Sequence, residues 1–166
     1  MNAVPDKQDY WIAGALWIGT TSLLLLTSQM GVPRDESFYF HAAHEYIGWF
    51  EQLWMNIREG QPLEAFEKAS IDDHWAYNGE HPVLAKTLFA LSHKLFGELL
   101  GWLSPMNAMR LPGMGFGALA VSLTYLFGAK VFGRLAGFAA AGCLLFQPRY
   151  FFHAHLACFD VPITAL

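Results

Sequence analysis

Residues 10–40 read YWIAGALWIGTTSLLLLTSQMGVPRDESFYF. The first 23 of these, Tyr10 to Val32, include no Asp, Glu, Lys, Arg or His. A helix needs about 20 apolar residues to cross a bilayer, so the run predicts a transmembrane span over residues 10–32. Tyr10 and Trp11 stand where an interfacial aromatic belt would lie. A cleaved signal peptide is the competing reading. MNAVPDKQDY is a poor basic leader for one, and no A-x-A site follows the apolar run. Pro33 then stops the helix, and the chain emerges into two adjacent carboxylates, Asp35 and Glu36.

Composition agrees with a membrane setting. Of 166 residues, 54% are hydrophobic, 16% aromatic and only 14% charged, against about 25% charged in soluble domains. The net charge of −4 and the lack of a basic cluster argue against nucleic acid as a partner. Cys143 and Cys158 sit in apolar surroundings without metal-ligand spacing and read as small hydrophobes. The chain stops at DVPITAL with neither a polar tail nor a finished helix. The expectation is therefore the N-terminal portion of a larger polytopic protein.

Two more uncharged runs follow. Leu111 to Ala129 is 19 residues long. Leu135 to Pro148 reaches spanning length by continuing to Phe152, with Arg149 snorkelling toward the surface. Between them KVFGR, residues 130–134, carries Lys130 and Arg134 unopposed by acids, which places it in the cytoplasm. Residues 35–60 alternate apolar Tyr39, Ala43, Tyr46, Phe50, Leu53 and Ile57 with polar faces, the pattern of an amphipathic interfacial helix. Residues 61–82 read as a polar loop. Pro82 opens a further helix. Lys86, His93, Lys94 and Glu98 make it interfacial, because each mid-span charge costs about 2.5–3.5 kcal/mol.

The predicted fold is all-α and integral to the membrane. It has about three transmembrane helices (10–32, 111–129 and 135–152) and an outer loop, 33–110, with two interfacial helices. With the N-terminus inside, Asp35, Glu36 and Asp160 share the non-cytoplasmic face.

Four elements on that face could carry chemistry: Asp35–Glu36; His81 and Lys86 in GEHPVLAK; Arg110 in MRLPG; and Asp160 in HLACFDVP. Each has a structural reading too. Asp35 and Glu36 suit a helix N-terminus and Lys86 a snorkelling lysine. Arg110 suits a headgroup anchor, and Asp160 a helix cap.

The order of these motifs resembles the N-terminal part of the GT-C superfamily of membrane glycosyltransferases. It is most similar to protein O-mannosyltransferases and lipid A aminoarabinose transferases. The likeness rests on the DE pair, H-P-x-L-x-K at 81–86, R-L-P at 110–112 and F-D-V-P at 159–162. Val83 stands where the family carries a second proline, and Glu80 adds a negative charge before His81.

The resemblance implies transfer of a sugar from a polyprenyl-phosphate carrier to an acceptor hydroxyl on a protein or lipid, in the bacterial inner membrane or the endoplasmic reticulum. Asp35 would be general base, Glu36 would support it or bind sugar, and Asp160 would complete the acidic cluster. Asp35 and Asp160 would hold a divalent cation. Lys86 would face the carrier phosphate, with His81 and Arg110 as further substrate-binding residues. Such chemistry needs a carboxylate to take the acceptor's proton and positive charge where the phosphate departs. Displacement opposite the phosphate inverts the anomeric centre.

Two other classes compete. HAAHE at 41–45 invites a zinc hydrolase, but the metalloprotease pattern places its glutamate between histidines four apart. A non-catalytic membrane subunit or transporter fragment accommodates every structural reading above. A transporter would show internal repeats, and none is visible.

Overall fold

The computed structural model describes residues 6–166. Their regular structure is all helical, with no strand among them. They form two compact units: the residues up to Met30 with Gly113–Leu166, and the central segment Gly31–Pro112.

The first unit is built on α1 (Lys7–Leu26) and the greater part of α5 (Pro105–Phe132). Both are long and apolar enough to cross a membrane. At 1.5 Å per residue they measure about 30 and about 42 Å. After them come α6 (Arg134–Leu145), α7 (Pro148–Ala154) and α8 (Asp160–Ala165). Ala13, Val121, Tyr125, Ala141 and Leu145 form one core cluster, and Leu24, Met114 and Ala154 another.

Small residues set these contacts. Gly133 takes φ +94°, a conformation that favours glycine, to turn α5 into α6. The two helices then approach so closely that a Cβ on Gly137 would lie 2.7 Å from Tyr125 O and 2.8 Å from Ala129 N. Such approach gives apolar helices their packing where water offers no hydrophobic drive.

The first turn of α1 meets the α5–α6 turn at one end. Arg134 Nε donates to Asp9 Oδ1 at 2.7 Å, and the Tyr125 hydroxyl donates to the same oxygen at 3.2 Å. The expectation that Arg134 is unopposed by acids is thus corrected. Its partner lies 125 residues earlier in the chain, beyond the reach of local charge patterning.

Two predicted spans change at their ends. The first helix ends at Leu26, not Val32, with Thr27 as its C-cap; the Thr27 hydroxyl donates to Leu23 O at 2.7 Å and is hydrogen-bonded with His155 Nε2 at 2.8 Å. Pro33 therefore caps α2 (Arg34–Glu59) and does not terminate α1. The third predicted span, 135–152, is two helices broken at Phe146–Gln147. Gln147 is driven to ψ 120° by the proline after it. α6 alone rises about 18 Å, well short of a bilayer core. The second expected span, 111–129, lies inside α5, which begins six residues earlier.

In the central unit α2 packs on α3 (Lys68–Trp75) and α4 (Val83–Ser92), with a 3₁₀ turn at Pro62–Phe66. α4 widens into a π-helical stretch at His93–Leu99. The α2 and α4 positions agree with the two amphipathic helices expected. Residues 61–82 differ from the loop expected. Trp75 on α3 packs 4.4 Å from the Tyr46 ring, and Trp49 donates to Ala65 O at 2.7 Å. These tertiary contacts order a segment whose local sequence is polar. They also enclose Ala43 and Tyr46 of the α2 apolar stripe, while Trp54, Met55 and Ile57 stay exposed.

The glycine contact predicts that Gly137→Val destabilises the protein by about 1–3 kcal/mol. Gly142→Ala, with nothing within 4 Å of the added Cβ, should stay within about 0.5 kcal/mol. Thermal unfolding in detergent, followed by helical circular dichroism, measures both.

Candidate functional site

The two adjacent acids go to different places. Pro33 caps α2, so Asp35 and Glu36 are its second and third residues, where carboxylates favour the helix N-terminus. One residue of helix is about 100° of rotation, so the neighbours leave the axis in different directions. Glu36 points inward and is 1% exposed. Arg110, 0% exposed, grips it with both arms: Nε to Oε1 at 2.8 Å and Nη2 to Oε2 at 2.6 Å. Nη2 also donates to Gly31 O at 2.8 Å. This is the planar two-pronged geometry that guanidinium and carboxylate share. Asp35 is exposed and makes no hydrogen bond or ion pair with the described residues.

Lys86 is enclosed as well. Its ammonium donates to Asn78 O at 2.5 Å and Asn78 Oδ1 at 3.2 Å, and lies 5.1 Å from the centre of the Tyr46 ring. Asn78 takes φ +56°, a left-handed conformation that asparagine tolerates better than most residues. That turn brings its carbonyl and its side chain to one cation. Burial pulls the Lys86 ammonium below its usual range, and nearby Glu80 partly offsets this. The resemblance has this lysine face a carrier phosphate; in the structure its two hydrogen bonds hold Asn78.

His81 sits on that tied loop and is exposed. Its ring meets Tyr39 edge-on at 5.8 Å. Tyr39 is four residues beyond Asp35, hence on the same face of α2. Asp35, Tyr39 and His81 therefore line one side of the central unit. The histidines of HAAHE part company: His41 stacks edge-on with Tyr77 and His44 with His93.

Asp160 belongs to the other unit and opens α8. Its Oδ2 lies 3.2 Å from His153 Nδ1. The alignment is not that of a hydrogen bond, and Nδ1 is buried without a hydrogen-bond partner. Cys158 Sγ completes a group whose ligand atoms all lie within 4.8 Å of one another. The sequence reading takes Cys158 as a small hydrophobe, Tyr46 as part of an apolar helix stripe and His153 as an interfacial residue, and gives none of them a site role. His153, Cys158 and Asp160 are available together as H-x-x-x-x-C-x-D. Nothing in the sequence marks Asn78.

No family model, curated protein or solved structure matches the chain.

The Glu36–Arg110 pair predicts strong, asymmetric costs. Arg110→Met or Glu36→Gln alone leaves a buried charge uncompensated and should cost about 3–5 kcal/mol. The double variant should recover much of that loss in thermal unfolding.

Lys86 gives a pH dependence. Its proton is held less tightly folded than unfolded, so the unfolded chain binds more protons just below the usual value of 10.5. Stability therefore rises with pH in that window. Melting temperatures of wild type minus Lys86→Met should move in favour of wild type from about pH 8 to about pH 10.

Proposed function

We propose that the chain is part of a GT-C-type membrane glycosyltransferase. In this reading it moves a sugar from a polyprenyl-phosphate carrier to an acceptor hydroxyl on a protein or lipid at the non-cytoplasmic face. The observation that carries the reading is the split of the acidic pair. Glu36 is locked to Arg110, and its neighbour Asp35 is exposed with no counter-charge. A carboxylate held at a rigid helix start, with no partner of its own, is what a general base requires.

In the proposed reaction the acceptor oxygen attacks the anomeric carbon from the side opposite the phosphate. The acceptor's proton passes to an Asp35 carboxylate oxygen. The bond from the anomeric carbon to the phosphate oxygen breaks, its electron pair leaves with the phosphate, and the configuration inverts. His81, beside Tyr39 on the same side as Asp35, is the hydrogen-bond donor to the departing phosphate, where negative charge grows. Lys86 supports the loop carrying His81. Glu36 and Arg110 are positioning residues.

The divalent cation that the resemblance implies would be oxygen-bound. Asp35 offers it a free carboxylate. Asp160 offers a carboxylate beside a thiol and an imidazole, a donor set of another kind, so the resemblance's shared Asp35–Asp160 cation does not fit the residues present.

Membranes carrying the protein, supplied with a labelled polyprenyl-phosphate sugar, test the reading. Asp35→Asn should lower transfer by about 10²–10⁴-fold while its melting temperature stays that of wild type. Transfer at the wild-type rate by Asp35→Asn would remove the base. No transfer by the wild-type protein to protein or lipid acceptors would favour the non-catalytic membrane subunit.

A further inference from the structure

We infer that His153, Cys158 and Asp160 form a zinc site, independent of whether the chain transfers sugars. Nδ1, Sγ and a carboxylate oxygen are the three donor types that Zn²⁺ accepts, and thiolate with imidazole selects it over magnesium or calcium.

The spacing fits. Tetrahedral zinc with bonds of about 2.0–2.3 Å sets its nitrogen and oxygen ligands about 3.3 Å apart, and His153 Nδ1 lies 3.2 Å from Asp160 Oδ2. All the ligand atoms fall within 4.8 Å of one another, so side-chain rotation of about 1 Å closes the set around a metal.

Two further observations point to a ligand. His153 Nδ1 is a buried nitrogen with no hydrogen-bond partner, an arrangement that native structures rarely leave unexplained. Cys158 is buried, so its sulfur sits inside the helical unit beside the other two donors. A thiolate and a carboxylate would neutralise the dication, so the site would carry no net charge in an apolar helical unit.

The fourth zinc position would face a polar recess of ≈ 330 Å³, lined by His153 and Asp160 together with Gln147, Arg149, Tyr150 and Thr164. Three protein ligands with one open position is the pattern of zinc that binds water or an anion, in contrast to the closed four-ligand structural site. Binding would release the thiol proton.

The test uses metal-stripped, detergent-solubilised protein and Zn²⁺ alone, with exposed Cys143 as internal control. One Zn²⁺ should bind per chain. It should slow maleimide alkylation of Cys158 at least tenfold and leave Cys143 unchanged. Cobalt in place of zinc should give a thiolate-to-metal charge-transfer band that survives Cys143→Ser and disappears in Cys158→Ser. His153→Ala and Asp160→Asn should each weaken Zn²⁺ at least tenfold with helix content preserved. Unprotected Cys158 in the wild-type protein overturns the inference, and that arm needs no variant to fold. Equal zinc affinity in Cys158→Ser, or cobalt binding without the charge-transfer band, overturns it too.

Discussion

Arg110 closes on both oxygens of Glu36 across 74 residues of chain, with neither side chain open to solvent. Buried charges are tolerated only when their attraction and hydrogen bonds offset the loss of water, and here the two-pronged geometry and the added bond to Gly31 O supply both. The pair ties the start of α2, Gly31 three residues before it and the start of α5 into one fixed point. Asp35, next along the helix, is turned away from that point and left exposed. One neighbour anchors while the other is presented, because consecutive helix positions face different ways.

The same economy recurs through the central unit. Lys86 is enclosed with a partner residue, Asn78, whose left-handed backbone delivers two acceptors to one ammonium. The loop this creates carries His81, and Tyr39 and His41 of α2 meet its rings edge-on. Polar groups thus position the loop and the helix start, and Asp35 and His81 stay exposed on one side of this unit. The other unit works differently. Its helices close through glycines and alanines, with polar ties at the ends, such as Asp9 to Arg134 and Thr27 to His155. A unit of that kind suits an apolar surround, in which two of its helices are long enough to cross.

Much of this was legible one residue at a time. The charge-free run from Tyr10 marked α1, the three-and-four spacing from Tyr39 marked α2, and Pro82 marked α4. What the sequence could not show were pairings made at a distance. Arg110 read as a headgroup anchor or a substrate contact because its partner lies on another helix. Lys86 read as a snorkelling lysine, or through the resemblance as one facing a carrier phosphate, because its enclosure depends on the backbone of Asn78. Residues 61–82 read as loop because Trp75 finds Tyr46 and Trp49 only in the folded chain. The third span was misread for a local reason: Pro148 weighed too little against fourteen uncharged residues.

The central claim is that the Glu36–Arg110 pair holds the first turns of α2 and so fixes Asp35. Native-state amide hydrogen exchange in wild type and Arg110→Met tests it most directly, since local opening is read residue by residue. The account requires amides 37–40 to exchange at least tenfold faster in the variant, with amides 50–58 of the same helix unchanged. Equal protection of amides 37–40 in both proteins would contradict it.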